Sequence, residues 1–488
     1  MFTDELRNKV WDEIRQRDLR AFSKLLPAEV FVAAGQLAGV RLGRSALSSV
    51  QLVWLGIASA MHRTRSFASV LTLCVELLND SGVWQPKATS PAKRKKGKAR
   101  GKGSKHSPHA RPLTQLTEEA FVQARARMPL GFWTALLLVL GQRFCQQHAE
   151  WVHWKEFRLL ALDGTTINMP NWKALRGHFG VAQNGKSKGR TQARLVMLQL
   201  PLVRMPWRVA VGPIGQGERT LAAELLEHLS AGDLVLLDRG FWSYGLFHQI
   251  QSRQAHFAIR LPGHIRLHTL RRLSSHDRLV RWKMPTGPRW RKSGLPPHID
   301  LRVVDYKIRG FRPSAVVTNV LSAAKVSREE WVRLATETEP GARRLDVGLY
   351  HRRWEIETTF FELKVTQGLE GSLRSRRPHG VYYEIAGHVL LYTLVRWLMV
   401  EAAVVAGLDP LRLSFKAALE ELCDMRYALM TATPQRVSHV LLPRLLERIA
   451  EHIVPLRPGR HFPRPHDTKV KNCGRGKRKL PHKLTKAA

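Results

Sequence analysis

The stretches RLLALDG, Arg158 to Gly164, and DLVLLDRG, Asp233 to Gly240, decide the fold. Each is a short apolar run rich in Leu and Val that stops at an aspartate next to, or one residue from, a glycine. Runs of this length without polar alternation read as strands buried on both faces, inside a sheet that helices cover. QARLVMLQLP (192–201) and WRVAVGP (207–213) read as further strands, and the helical ERTLAAELLEHL (218–229) precedes the second aspartate run. Several strands, one helix and another strand predict a mixed sheet flanked by helices, an α+β arrangement. Asp163 and Asp238 are then expected at strand ends entering glycine turns, where a side chain is held rigidly and a substrate can come close. Two such carboxylates can share metal ions, although each alone also fits a simple turn cap.

Outward from these runs the chain divides by composition. Residues 1–84 read as a helical N-terminal module, 85–112 as a disordered basic linker and 113–150 as a helical connector. Residues 151–260 form the first part of the core, and 261–325 a β-rich insertion built from pieces such as IDLRVVDYKI (299–308) and SAVV (314–317). Residues 326–410 complete the core, 411–455 supply C-terminal helices, and 456–488 are a basic tail.

Charge narrows the function. Lys and Arg number 79 against 39 Asp and Glu in 488 residues, a net +40. The linker and the tail carry about half of that excess, so the folded body is basic too. A chain of this kind gains affinity from releasing counterions condensed on a polyanion, and nucleic acid is the expected partner. The four cysteines, Cys74, Cys145, Cys423 and Cys473, form no CxxC pair, which argues against a zinc site or a disulfide framework. The N-terminus does not read as a signal peptide, and the apolar run 388–408 contains Arg396 and Glu401, so a buried helix is expected rather than a membrane span. The expected location is the cytoplasm, on the nucleoid.

A third element joins the two aspartates. In YHRRWEIETTFFELK (350–364), Tyr350, Arg353, Glu357 and Lys364 stand at offsets 0, 3, 7 and 14. At about 100° per residue a helix gathers them within an arc of about 60°. One face then offers a carboxylate flanked by two cations and a phenol. Arg353 and Glu357 would also serve as an ordinary i, i+4 pair. Glu218, Asp305 and Asp346 read as surface or turn carboxylates.

This spacing resembles the Tyr-x2-Arg-x3-Glu-x6-Lys signature of DDE transposases of bacterial insertion sequences, in the family named after insertion sequence four. DGTTINMP at Asp163, GERTLAAELL, DRGFWS at Asp238 and LRSRRPHGVYYEIAGHVLLY are similar to the same family, and LLPAEVF is so more loosely. The Lys-rich segment 91–105 departs from it as an added insert. The resemblance implies an RNase H-like catalytic core with a β-rich insertion, in which Asp163, Asp238 and Glu357 bind two Mg2+ ions, with Mn2+ able to substitute. It implies that Tyr350, Arg353 and Lys364 contact DNA, and that a tryptophan of the insertion, Trp282 or Trp290, stacks on a displaced base. The implied activity is cut-and-paste transposition: binding of terminal inverted repeats, cleavage of the element ends and their joining to target DNA by a homodimer in a synaptic complex. Helices beyond residue 384 are expected at the interface between copies. Two alternatives stand beside it, an RNase H-like DNA nuclease without strand transfer and an inactive DNA-binding relic.

Overall fold

The structure, a computed structural model, describes residues 25–40, 42, 47–80, 117–182, 189–287, 290, 293–307, 313–332 and 349–455. The expected linker and tail, and Asp346, lie outside these residues. Ten strands form one sheet: β1 (His153–Trp154), β2 (Phe157–Asn168), β3 (Gln192–Leu200), β4 (Met205–Pro213), β5 (Asp233–Leu237), β6 (His256–Arg260), β7 (His268–Ser274), β8 (Asp277–Lys283), β9 (His298–Tyr306) and β10 (Ser314–Thr318). Their order is β4-β3-β2-β5-β6-β10-β9-β8-β7, with β1 pairing β2. β2 runs parallel to β5 and β5 parallel to β6, while the other ladders are antiparallel. The protein is therefore a mixed α+β fold with a large mixed sheet and many helices.

The two deciding runs occupy the middle. Leu159 to Leu162 and Leu234 to Leu237 have no exposed surface, as their unbroken apolar character requires. One expectation fails here: Asp163 does not end its strand. β2 continues through Gly164, Thr165, Thr166 and Ile167 to Asn168, paired with β3 as far as Gln192. The Thr-Thr-Ile run after the glycine is β-branched and favours extended chain, which outweighs the turn signal of one Gly. The pieces read as strands between 257 and 317 hydrogen-bond into the same sheet, because β10 pairs with both β6 and β9.

Helix Pro378–Ala406 is the organising helix. It is long and apolar enough to cross a membrane, yet 78% of its apolar window is buried inside the fold, and Glu384, His388 and Arg396 are buried along it. Most of its surface is taken up within the chain, and Val404 and Val405 in its last turn are exposed. Helices Ala28–Ala38, Ser49–Met61, Phe67–Asp80, Glu118–Arg127 and Leu130–Gln147 occupy the N-terminal segments read as helical. They dock through Tyr383, whose hydroxyl donates to the Leu52 carbonyl and whose ring packs edge-on against Trp133 and Phe121. Gly387 makes this approach possible: a Cβ there would lie 2.6 Å from the Gly56 carbonyl oxygen.

Candidate active site

Register brings the aspartates together. Leu162 pairs with Leu237 in the parallel β2–β5 ladder, and the next residues are Asp163 and Asp238. Asp238 keeps an extended backbone (φ −79°, ψ 158°), so the two stand side by side on strands about 4.8 Å apart. Asp238 caps the 3-10 turn Arg239–Phe241 that begins where β5 stops.

The signature segment lies across this edge with three helical pitches rather than one. Leu349–Trp354 is a 3-10 helix, Glu355–Phe361 an α-helix and Glu362–Thr366 a π-helix. A 3-10 helix repeats every three residues, which stacks Arg353 directly over Tyr350. Tyr350 is buried; its hydroxyl donates to the Leu237 carbonyl (3.0 Å) and accepts the Arg260 N–H (3.2 Å), fixing the segment to β5 and β6. Burial pushes its phenol pKa upward.

Arg353, only 4% exposed, holds the three acids. Its Nη2 lies 3.1 Å from Glu357 Oε1 and 3.8 Å from Asp238 Oδ1, and its Nη1 lies 3.5 Å from Asp163 Oδ2. Three residues far apart in the chain thus meet at one guanidinium. Their charges show the crowding: burial, with the neighbouring Asp238 and Glu357 charges, pushes the Asp163 pKa up to about 6 against the pull of the Gly164 N–H and Arg353. Arg353 Nε and Nη1 are closed to solvent and have no hydrogen-bond acceptor within the fold.

Among the described residues no three His, Cys, Asp or Glu side chains form a ready metal cage. The donor set nevertheless fits hard dications. It consists of three carboxylates, of which the Asp238 and Glu357 side chains are 43% and 44% exposed and open to solvent.

Lys364 reaches back to β2. Its Nζ lies 3.3 Å from Thr165 Oγ1 and 3.1 Å from Glu370 Oε1, and Glu370 also accepts the Asn168 N–H (3.2 Å). Behind the segment, Glu362 accepts from Arg204 Nη1 (3.2 Å), Tyr392 OH (2.6 Å) and Arg396 Nη2, while Arg204 Nε holds Glu355 (2.7 Å). These bonds tie the signature helix to the β3–β4 turn and to helix Pro378–Ala406.

The two tryptophans named from the sequence are placed differently. Trp282 on β8 is 9% exposed and packs against Trp242, Tyr244 and Phe247. The alternation Val280-Arg281-Trp282-Lys283 carries that signal, since it puts Val280 and Trp282 on the inner face. Trp290 is half-buried against Tyr244. Glu218, read as a surface or turn carboxylate, pairs with Arg194 (2.9 Å) and packs over Gly164, where a Cβ would lie 3.0 Å from its Cδ. Sequence reasoning did not single out Glu370 or the exposed Trp354 beside Arg353. A cavity of about 300 Å³ between Trp133, Arg208, His228 and Tyr382 contains none of the signature residues.

The comparisons with known proteins give the class of this fold, that of the DDE transposases. The transposase DDE domain family matches residues 154–394. Beyond that domain the chain is similar to transposases of the insertion sequence four type. It is similar to the transposase InsG for insertion sequence element IS4 of Escherichia coli K12, with 28% identity over 320 residues, covering 64% of this chain and 68% of that one. Among solved structures it aligns with the piggyBac transposase synaptic complex with hairpin DNA at 10% identity and a TM-score of 0.36, over 96% of this chain and 90% of that one.

Proposed function

We propose that Asp163, Asp238 and Glu357 are the metal-binding catalytic acids of an RNase H-like core, formed by β2 to β6, that cleaves the ends of its own element and joins them to target DNA. The observation that carries this is the convergence of all three on Arg353, with the aspartates adjacent in the β2–β5 ladder. Two Mg2+ ions, or Mn2+ in their place, would supply activation of the attacking oxygen and stabilisation of the leaving oxygen when bound. The protein's own residues do the rest. Tyr350 fixes the signature helix to β5 and β6, Arg353 sets its positive charge among the acids where a phosphate would lie, and Lys364 adds a second cation beside Thr165. Neutralising a held phosphate in this way stabilises charge as it develops in line.

The rest of the assignment follows the family. The module at 1–84 recognises the terminal repeats, 113–150 connects it to the core, 151–260 and 326–410 make the core, and 261–325 is its β-rich insertion. The helices after residue 384 contribute to the interface of a homodimer in a synaptic complex on double-stranded DNA, in the cytoplasm at the nucleoid, and the basic segments 85–112 and 456–488 add nonspecific DNA affinity. The test is incubation with end-bearing DNA and Mg2+. Joined products support transposition, nicks alone support a nuclease, and shifted but intact DNA supports a binding relic. Asp238→Asn and Glu357→Gln should abolish cleavage while keeping DNA affinity; cleavage by either variant removes that residue from the mechanism.

A further inference from the structure

Between the edge strand β4, helix Leu130–Gln147 and helix Pro378–Ala406 lies the cavity of about 300 Å³, the size at which small-molecule sites begin. Asp163, Asp238 and Glu357 do not line it. Its walls are mostly apolar, with Leu137, Val209, Val389 and Leu390 among them, yet they hold two polar groups that the fold leaves unsatisfied. Arg208 is 8% exposed and its Nε has no hydrogen-bond partner; Trp133 is 6% exposed and its indole N–H has none either. Other buried arginines are compensated. Arg302, Arg353 and Arg396 each meet a carboxylate, and Arg125 lies over the Phe67 and Phe121 rings. Among the described residues Arg208 has no such partner, and burial with the nearby Arg158 charge pulls its pKa down to about 10.

A buried cation without a partner is costly, and a buried N–H without an acceptor adds to that cost. A carboxylate relieves both, because its oxygens accept from a guanidinium and from an indole alike. The apolar walls require the rest of the ligand to be hydrocarbon or an aromatic ring. A phosphate dianion suits the site less. Glu224, on the exposed side of the cavity and bonded to Gln216 (3.2 Å), repels a second negative charge. We propose that this cavity binds a small amphipathic monocarboxylate, its head on Arg208 and Trp133 and its apolar body against helices Leu130–Gln147 and Pro378–Ala406. Such a ligand bridges an N-terminal helix to the edge of the core sheet and stabilises the folded chain by mass action.

The experiment uses the full chain and octanoate below its micelle concentration, read by calorimetric titration and thermal unfolding, with octan-1-ol, acetate and inorganic phosphate as comparisons. Octanoate binds saturably and raises the melting temperature. Octan-1-ol, which lacks the charge, and acetate, which lacks the chain, bind at least about tenfold more weakly. Arg208→Met keeps the stem and removes the charge; it weakens octanoate at least about tenfold and leaves octan-1-ol within about twofold. Trp133→Phe keeps an apolar ring and weakens octanoate about threefold. Removing an unpaired buried cation preserves or raises the melting temperature without ligand, which shows that Arg208→Met folds. Ala386→Leu narrows the cavity from helix Pro378–Ala406 and blocks octanoate with Arg208 in place. Octanoate that fails to saturate, that binds Arg208→Met as tightly as the unaltered protein, or that binds no better than octan-1-ol overturns the proposal. So does inorganic phosphate binding more tightly than octanoate, because the site is then one for phosphate.

Discussion

Replacing Asp163 by Asn should make the metal-free protein more stable while ending its activity. Asp163 titrates near 6 in the fold, against about 3.8 when unperturbed, chiefly because it is buried. A carboxylate with a raised folded pKa holds its proton more tightly in the native than in the unfolded state. Between pH 4 and 6 the native state therefore binds more protons, and stability falls as pH rises through that window. Above it the charged group costs about 3 kcal/mol, from roughly two pKa units at 1.36 kcal/mol each. Asn removes this cost, which is already net of the pull of Arg353 at 3.5 Å. The gain at pH 8 is therefore about 3 kcal/mol. With an unfolding entropy of about 2.1 cal/mol/K per residue, that raises the melting temperature by about 3 °C. The assay is thermal unfolding in EDTA from pH 4 to 8 for both proteins. The difference should be small or reversed at pH 4 and should grow to its full value by pH 7. A variant less stable than the parent at pH 8, or a difference independent of pH, would refute the account of Asp163 as a destabilised, crowded carboxylate.

Three other expectations follow from the same contacts. Glu362→Gln leaves buried Arg396 with Tyr392 as its remaining hydrogen-bond partner and should cost about 3 kcal/mol, read as a lowered melting temperature at pH 7. Because those arginines hold the Glu362 pKa below its usual value despite burial, the penalty should shrink as pH falls below about 4.3, through the depressed folded pKa; a pH-independent penalty would count against the network. Glu370→Gln frees Lys364 from its carboxylate and should tighten duplex binding about threefold in a filter or anisotropy assay, the size of a partly exposed ion pair, so weakened binding would contradict that pairing. Arg353→Gln leaves three acids facing one another, so Mg2+ should raise the melting temperature of this variant more than that of the parent; an equal rise would mean Arg353 does not stand in for cation charge.

How much of this was legible depended on whether the determining force was local. The cores of β2 and β5 were readable because a strand buried on both faces must be apolar throughout, and that shows in a few consecutive residues. Their register was not, since Leu162 meets Leu237 only through a pairing across 75 residues of chain. The pieces between 257 and 317 were readable as strands for the same local reason, yet their continuation of the central sheet depends on β10 joining β6. The signature spacing announced one face. It could not announce the change from 3-10 through α to π pitch, which comes from anchoring at both ends: Tyr350 on β5, and Glu362 on Arg204 and Arg396. Trp282 and Trp354 show the limit for single residues. Both stand among arginines in the sequence, and the period of their surroundings, two in a strand against three in a 3-10 helix, decides that one is packed and the other exposed.

The position of Arg353 explains why an acidic site can exist in so basic a protein before any dication arrives. Three carboxylates brought to one sheet edge repel one another, and the upward shift of Asp163 measures part of that cost. A fold that left them uncompensated would relax by separating them, and the convergence would then have to be rebuilt on each binding event. A guanidinium suits this place better than an ammonium because its planar fork reaches Asp163 from one nitrogen and Asp238 with Glu357 from the other. The contacts at 3.5 and 3.8 Å are longer than good hydrogen bonds, so the acids are gathered without being locked. The same side chain that collects the acids is itself buried, so its charge acts on them through little water and its position is fixed by the fold.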